Sequence, residues 1–148
     1  MKVRPATRAD CTDIYQVHIN AMRRLQVTSP SGKGVDDYID SRNPSAYAEE
    51  METQQFVVVE RDKQVVGFGA LHVAKKEITM VFVNPAHQRN GVGRTVLREL
   101  EKRAREANLT GVHLQATGTA IEFYAATGYQ SDPPVKPGAA WAVMKKSV

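Results

Sequence analysis

Val83-Asn84-Pro85-Ala86-His87-Gln88-Arg89-Asn90-Gly91-Val92-Gly93-Arg94 is the stretch on which the reading of this chain turns. Before it, Ile78 to Val83 is apolar and β-branched, a strand that Pro85 ends. After it, Val96, Leu97, Leu100, Ala104 and Ala107 recur at helical spacing. Arg98, Glu99, Glu101, Lys102, Arg103, Arg105 and Glu106 cover the other side of that helix. A strand therefore runs through a glycine-bearing loop into the start of a long helix. Free N–H groups and the helix dipole favour an anion there, glycines let a phosphate approach the backbone, and Arg89 and Arg94 add charge-assisted bonds. A Walker A loop needs Gly-Lys-Ser/Thr, and Gly93-Arg94-Thr95 lacks both the lysine and the earlier glycine spacing. A dinucleotide fingerprint needs a third glycine where Val96 stands. What remains is an anion-binding turn of another kind or a glycine turn with no ligand.

Working outward, Lys2 to Arg4 reads as a short strand closed by Pro5. Thr7 and Asp10 have capping-box spacing ahead of a helix that runs to about Leu25. Ser29-Pro30-Ser31-Gly32-Lys33-Gly34 breaks that helix, and a second one lies between Pro44 and Thr53, opened by Ser41 or Asn43. Phe56 to Glu60, Gln64 to Val73 and Ile78 to Val83 are three strands joined by tight turns, an antiparallel meander. Downstream, Asn108 and Gly111 close the long helix, Val112 to Ala116 is a strand, and Thr119 to Thr127 is a short helix ended by Gly128. Two last strands are expected from Tyr129 onward and over Ala139 to Met144. The order predicts an α+β fold in one domain over residues 1–148, with a single β-α-β crossover.

The 148 residues are one domain's length, and 42% apolar with 24% charged residues is too apolar for disorder. Twenty Lys and Arg against sixteen Asp and Glu leave +4, mixed in sign along the chain, which suits a phosphate-bearing small ligand. No basic helix free of acidic residues and no aromatic platform favours nucleic acid. Cys11 is the sole cysteine, so an internal disulfide and a Cys-rich zinc site are excluded, and no metal is expected. Charged residues follow Met1-Lys2-Val3-Arg4-Pro5 in place of a secretory h-region, and no apolar run is long enough to span a bilayer. The expectation is a cytoplasmic protein without a membrane partner.

Gln88-x-x-Gly91-x-Gly93 behind Val83-Asn84-Pro85 resembles the acetyl-CoA-binding signature of the GCN5-related N-acetyltransferases (GNAT). Leu114-Gln115-Ala116-Thr117-x-x-Ala120-x-x-Phe123-Tyr124-x-x-x-Gly128-Tyr129 resembles that family's second hallmark. Val3-Arg4-Pro5-Ala6 with Asp10, and Val66-Gly67-Phe68, fit its opening and its third strand. The resemblance covers nearly the whole chain and is weakest from Val27 to Thr53 and after Asp132.

It implies a mixed α/β sandwich built on a twisted sheet of about seven strands with about four helices. The sheet is mostly antiparallel, and its parallel fourth and fifth strands splay apart to admit pantetheine. Backbone groups of Val81, Phe82 and Val83 would hold the pantetheine amides and thioester. The amides of Gln88, Arg89, Asn90, Gly91, Val92, Gly93 and Arg94 would wrap the pyrophosphate, and the Thr117 hydroxyl would contact the cofactor arm. The implied activity is direct acetyl transfer from acetyl-CoA to a primary amine in a ternary complex. Tyr124 would be the general acid to the CoA thiolate and would also border the cofactor, while Phe123 would be core or a cleft wall. Glu77, eleven positions before Gln88, is the candidate base, with a water relay or a base on the acceptor loop as alternatives.

The acceptor site would be built from Gln26 to Tyr38, containing Asp36 and Asp37, and from Ser131 to Ala140, stiffened by Pro133, Pro134 and Pro137. Small amines, peptide N-termini and lysines stay open as acceptors, as does a homodimer. His18 fits a helix core face, His72 and His113 fit strands, His87 is within reach of a phosphate, and Trp141 packs by the last strand or lines an acceptor pocket. The alternative to an enzyme is a non-catalytic acyl-CoA-binding sensor or regulatory module.

Overall fold

The structure, a computed structural model, describes residues 1–25, 35–136 and 138–148. The β-branched and aromatic runs form β1 (Lys2–Pro5), β2 (Gln55–Arg61), β3 (Gln64–His72), β4 (Glu77–Val83), β5 (Gly111–Thr117) and β6 (Trp141–Ser147), which lie in that order in one sheet. Neighbours are antiparallel except β4 and β5, which are parallel. Helices α1 (Cys11–Leu25), α2 (Val35–Asp40), α3 (Pro44–Glu50), α4 (Val92–Glu106) and α5 (Ile121–Ala126) complete the described elements. The β2–β3 hairpin turns through Asp62 and Lys63, both at positive φ (51° and 65°), whose backbone twist matches the flanking strands.

Alternation along the strands divides the core between two faces. On one face Val57, Val59, Leu71, Ile78, Leu114 and Met144 pack against Val96, Leu97 and Leu100 of α4. On the other, Phe56, Val58, Phe68 and Met80 pack against Ile14 and Val17 of α1 and Tyr47 of α3. Close approach of α4 to the sheet depends on Gly69, where a Cβ would stand 2.5 Å from a Val96 methyl and 2.8 Å from the Met80 carbonyl. Arg4 clamps both Asp10 carboxylate oxygens at 2.8 Å and reaches Glu60 at 2.9 Å, while Asp10 accepts the Thr7 N–H at 2.8 Å. The capping spacing seen in the sequence thus also ties β1 to β2.

One irregularity bears on the site. Leu71 pairs with Ile78 but Ala70 pairs with Met80, so Thr79 is an extra residue in β4, a bulge that bends the strand. Ile78 therefore faces α4, whereas Met80 faces α1.

The elements differ in detail from those read in the sequence. The sheet has six named strands, not about seven, because the segment after Tyr129 makes only an isolated bridge, Gln130 to Lys145. Pro133 and Pro134 follow it, and a proline has no N–H to give a ladder. The last strand begins at Trp141 and runs to Ser147, later than expected. Val35–Asp40, read as part of a loop, is the six-residue helix α2, too short to show a periodicity; Asp36 and Asp37 occupy the first turn, where the helix dipole favours them.

Candidate functional site

Among the described residues, β4 and β5 share one register pair, Glu77 with His113, at the start of both strands. Beyond it they part, and the opening holds a cavity of about 160 Å³ lined by Met80, Val81, Phe82, Val83, Leu114, Gln115 and Thr117, with Ala21 of α1 and with Gln88, Ala120 and Tyr124. The Asn84 N–H bonds to the Val66 carbonyl at 2.8 Å, which marks a hydrogen-bonded pair. Alternation of the antiparallel ladder then turns the backbone groups of Phe82 toward β3 and those of Val81 and Val83 into the opening. Two of the three strand residues expected to hold a ligand by main chain are therefore oriented for it. Phe82 lines the same cavity with its side chain.

The strand leaves the sheet through the turn Pro85–His87, where the Asn84 side chain accepts the Ala86 N–H at 3.2 Å. Arg89 (φ 64°) and Gly91 (φ 81°) then take left-handed conformations that swing the chain into α4. Gly91 is the N-cap, so no side chain caps the first N–H groups of this fifteen-residue helix, and Thr95 Oγ1 donates to the Gly91 carbonyl at 2.8 Å. Arg89, Asn90 and Arg94 are exposed around this end. The Val92 side chain is buried against Gly67 and belongs to the core, so only its N–H is available to a ligand. The result is an uncapped helix N-terminus with two arginines beside it, joined by a short loop to Gln88, which lines the cavity.

Tyr124 lines the cavity and is 8% exposed. Burial pushes its phenol well above the usual range, so the hydroxyl keeps its proton throughout ordinary assay conditions. Phe123 and Tyr129 meet the Tyr124 ring edge-on, at 5.1 and 5.7 Å between centroids. Tyr129 donates to the buried Glu101 at 2.8 Å, and Lys146 reaches Glu101 at 3.2 Å and the Thr127 carbonyl at 2.8 Å. The back of the Tyr124 ring is thereby fixed by α4 and β6. Phe123 closes over the start of α4 and packs against the core, and it is not among the residues that line the cavity.

Glu77 is not a lining residue of the cavity: it stands at the closed end, in register with His72 of β3 and His113 of β5. Since Ile78 faces α4, Glu77 faces the α1 side, the face that also carries Phe82, Gln115 and Thr117. Taken singly, the two histidines showed no role in the sequence; their place on either side of Glu77 depends on strand register. Thr79 lines the cavity, and its hydroxyl donates to Gln54. His18 is buried beside Phe82 (4.2 Å between ring centroids), with Nδ1 2.7 Å from the Tyr47 hydroxyl. Burial, helped by the Arg42 charge, lowers its pKa to about 3 and keeps it neutral. Asp36 and Asp37 are exposed on α2, whereas residues 26–34 and Pro137 of the expected acceptor loops lie outside the described residues.

The lining of the cavity divides between the two faces of the sheet. Val81, Val83, Gln88 and Tyr124 lie toward the α4–α5 side, and Ala21, Phe82, Gln115 and Thr117 toward the α1 side. Among the described residues no group of three or more His, Cys, Asp or Glu is arranged to hold a metal, and no helix is long and apolar enough to cross a membrane.

The model of the acetyltransferase (GNAT) domain family matches residues 26–148. An amino-acid acetyltransferase of Pseudomonas putida is 35% identical over 78 residues, which is 50% of this chain and 18% of that protein's length. Among solved structures, a GCN5-related N-acetyltransferase from Rhodopseudomonas palustris superposes with a TM-score of 0.83 at 22% identity, covering 99% of this chain and 95% of its own. The PaiA N-acetyltransferase from Thermoplasma acidophilum, solved in complex with coenzyme A, gives 0.83 at 16% identity, covering 99% and 98%.

Proposed function

The chain belongs to the GNAT acetyltransferase family, and from that premise we propose that it transfers an acetyl group from acetyl-CoA to a primary amine. The observation that carries the reading is the parting of β4 from β5 into a cleft whose lining reaches Gln88, a short loop away from the uncapped, arginine-flanked start of α4. A thioester arm fits the first and a pyrophosphate the second. Pantetheine amides would pair with the backbone of Val81 and Val83 as an added strand would. The amides and side chains from Gln88 to Arg94 would receive the phosphates. Thr117, at the end of β5, would give its hydroxyl to the cofactor arm.

An aliphatic amine has a pKa of about 10.4 and must shed a proton before it can attack. Its nitrogen then adds to the thioester carbonyl, and a backbone N–H turned into the cleft from β4 steadies the oxyanion. Collapse breaks the C–S bond, the amide forms, and the second proton leaving the nitrogen passes to the departing sulfur, with the Tyr124 hydroxyl as the relay that gives one proton and takes back another. The thiolate, comparable to a cysteine with a pKa of about 8.5, takes a hydrogen bond and finally a proton at sulfur. Tyr124 supplies that donor: its hydroxyl stays protonated and borders the cleft. Glu77 takes the amine proton through water, since it shares the acceptor face but stands three residues, roughly 10 Å, along the strand from Met80.

One observation favours a second reading, an acyl-CoA sensor without turnover: no carboxylate or imidazole lines the cavity among the described residues. A thiol-release assay with acetyl-CoA against a panel of amines and short peptides, with thermal shift in parallel, separates the two. Turnover establishes the transferase. A thermal shift without turnover favours the sensor, and no shift at all refutes the cleft as an acyl-CoA site.

A further inference from the structure

Thr117 and Gln115, which line the cavity on its α1 side, stand directly opposite Trp141 and Val143 of β6. Directly opposed residues of an antiparallel pair point to the same face with Cβ atoms about 5 Å apart. Leu114, Ala116 and Met144, between them, point into the α4-side core. The wall of the cavity therefore continues without a break onto Trp141 and Val143, which are 47% and 40% exposed. Exposed large apolar side chains are rare elsewhere among the described residues, where Met1 is the further example. All four residues of this strip are uncharged. The next pair on the same face is His113 with Lys145, and Glu77 stands beside His113 on β4; the strip beside Lys145 carries no carboxylate of its own to hold a second cationic group.

We propose that Trp141 and Val143 are specificity-determining residues for the acceptor, and that they select an amine with an apolar or aromatic segment beside the reacting nitrogen over a polyamine. The inference rests on the transferase reading for its chemistry, since the nitrogen must reach the thioester between Phe82 and Thr117 while the segment behind it lies along β6. An aromatic amine and a peptide with an aromatic N-terminal residue share this chemistry.

The chain has a single tryptophan, so intrinsic fluorescence reports on the proposed surface directly. The protein saturated with CoA is titrated with phenethylamine, with the tripeptide Phe-Ala-Ala and with putrescine, exciting at the tryptophan edge. A saturable change with phenethylamine, the tripeptide or both, at least tenfold tighter than with putrescine, is the expected result, and comparing the first two ligands tells a free amine from a peptide N-terminus. In thiol release, Trp141→Ala should raise KM for the responding amine about tenfold and leave acetyl-CoA affinity within twofold, and Trp141→Phe should restore most of the loss. Because Trp141 is half exposed, the alanine variant should fold, which circular dichroism checks. Fluorescence saturation without turnover in any arm would sink the transferase reading and keep this surface. Turnover with unaltered KM in Trp141→Ala, or putrescine as the preferred amine, would overturn the inference while the transferase stands. A Trp141→Ala variant that changes sedimentation from dimer to monomer with KM unmoved would also overturn it, because the strip would then be a self-association surface.

Discussion

Phe123 lies against the bare backbone of Gly93: a Cβ there would stand 3.4 Å from the Phe123 ring and 3.6 Å from a Val83 methyl. The second hallmark segment is thereby docked onto the first turn of α4, so the helix start and the Tyr124 end of the cleft are joined by one packing contact. Phe123 in turn meets Tyr124 edge-on, which ties the position of the proposed acid to the position of the helix start.

Gly91 has open space around it, with a Met1 methyl 3.8 Å from where its Cβ would be, but its φ of 81° strains any side chain. Gly91→Asp should fold with a loss of about 1 kcal/mol, because aspartate tolerates this conformation better than most residues. If the proposed site is right, it should weaken acetyl-CoA binding by at least 100-fold, because it puts a carboxylate where the pyrophosphate is proposed to lie. Calorimetric titration measures this, and an unchanged Kd would remove the loop from the binding site.

Tyr124→Phe should lower kcat by roughly 10²-fold, the usual scale for one proton donor, with the acetyl-CoA Kd within twofold. The ring contacts with Phe123 and Tyr129 survive this change, so stability should hold. Equal turnover in steady-state assays would take Tyr124 out of the mechanism.

Glu101 is buried, accepts from Tyr129 and faces Lys146. Glu101→Ala leaves the buried Tyr129 hydroxyl without its acceptor and the half-buried Lys146 ammonium with only the Thr127 carbonyl, and should cost about 2–4 kcal/mol in urea denaturation. Tyr129→Phe should cost less alone and almost nothing further in the Glu101→Ala background. Additivity of the two would show that the pair does not act as a unit.

The Arg4 guanidinium holds the Asp10 carboxyl below its usual value, and burial opposes that shift only in part. A depressed carboxylate contributes stability above its unfolded pKa of about 3.9, and that contribution is lost as pH falls through the lower folded value. Below about pH 4 the wild-type Tm should therefore drop. Arg4→Gln should lower Tm at pH 7, by roughly 1–3 kcal/mol in stability, and flatten the acid limb. Parallel acid limbs in the two proteins would refute this coupling.

Much of this molecule was legible in single segments. The strand–loop–helix of Ile78 to Ala107 follows from composition and periodicity, and the Gln88-x-x-Gly91-x-Gly93 loop does start a helix as expected. Helix α1 runs through the described residues as far as Leu25, and Asn43 stands at the N-cap of α3, although its side chain accepts from the Ser45 hydroxyl and not from the helix backbone. The strand expected after Tyr129 is reduced to one bridge at Gln130, because polar Ser131 and Asp132 and then Pro133 and Pro134, which have no N–H to give a ladder, follow at once. Helix α2 was hidden because six residues give no measurable period.

What the sequence alone determined is the order of elements, the apolar faces and the glycine-bearing helix start, since these depend on neighbours a few positions apart. Tertiary structure alone decided which groups meet. The bulge at Thr79 reverses the facing of β4, so that Glu77 shares a face with Phe82, and register puts His72 and His113 on either side of it. Strand pairing sets Trp141 opposite Thr117 across twenty-four residues of chain, a juxtaposition that no local pattern encodes because it is fixed by hydrogen bonds and packing between segments distant in sequence.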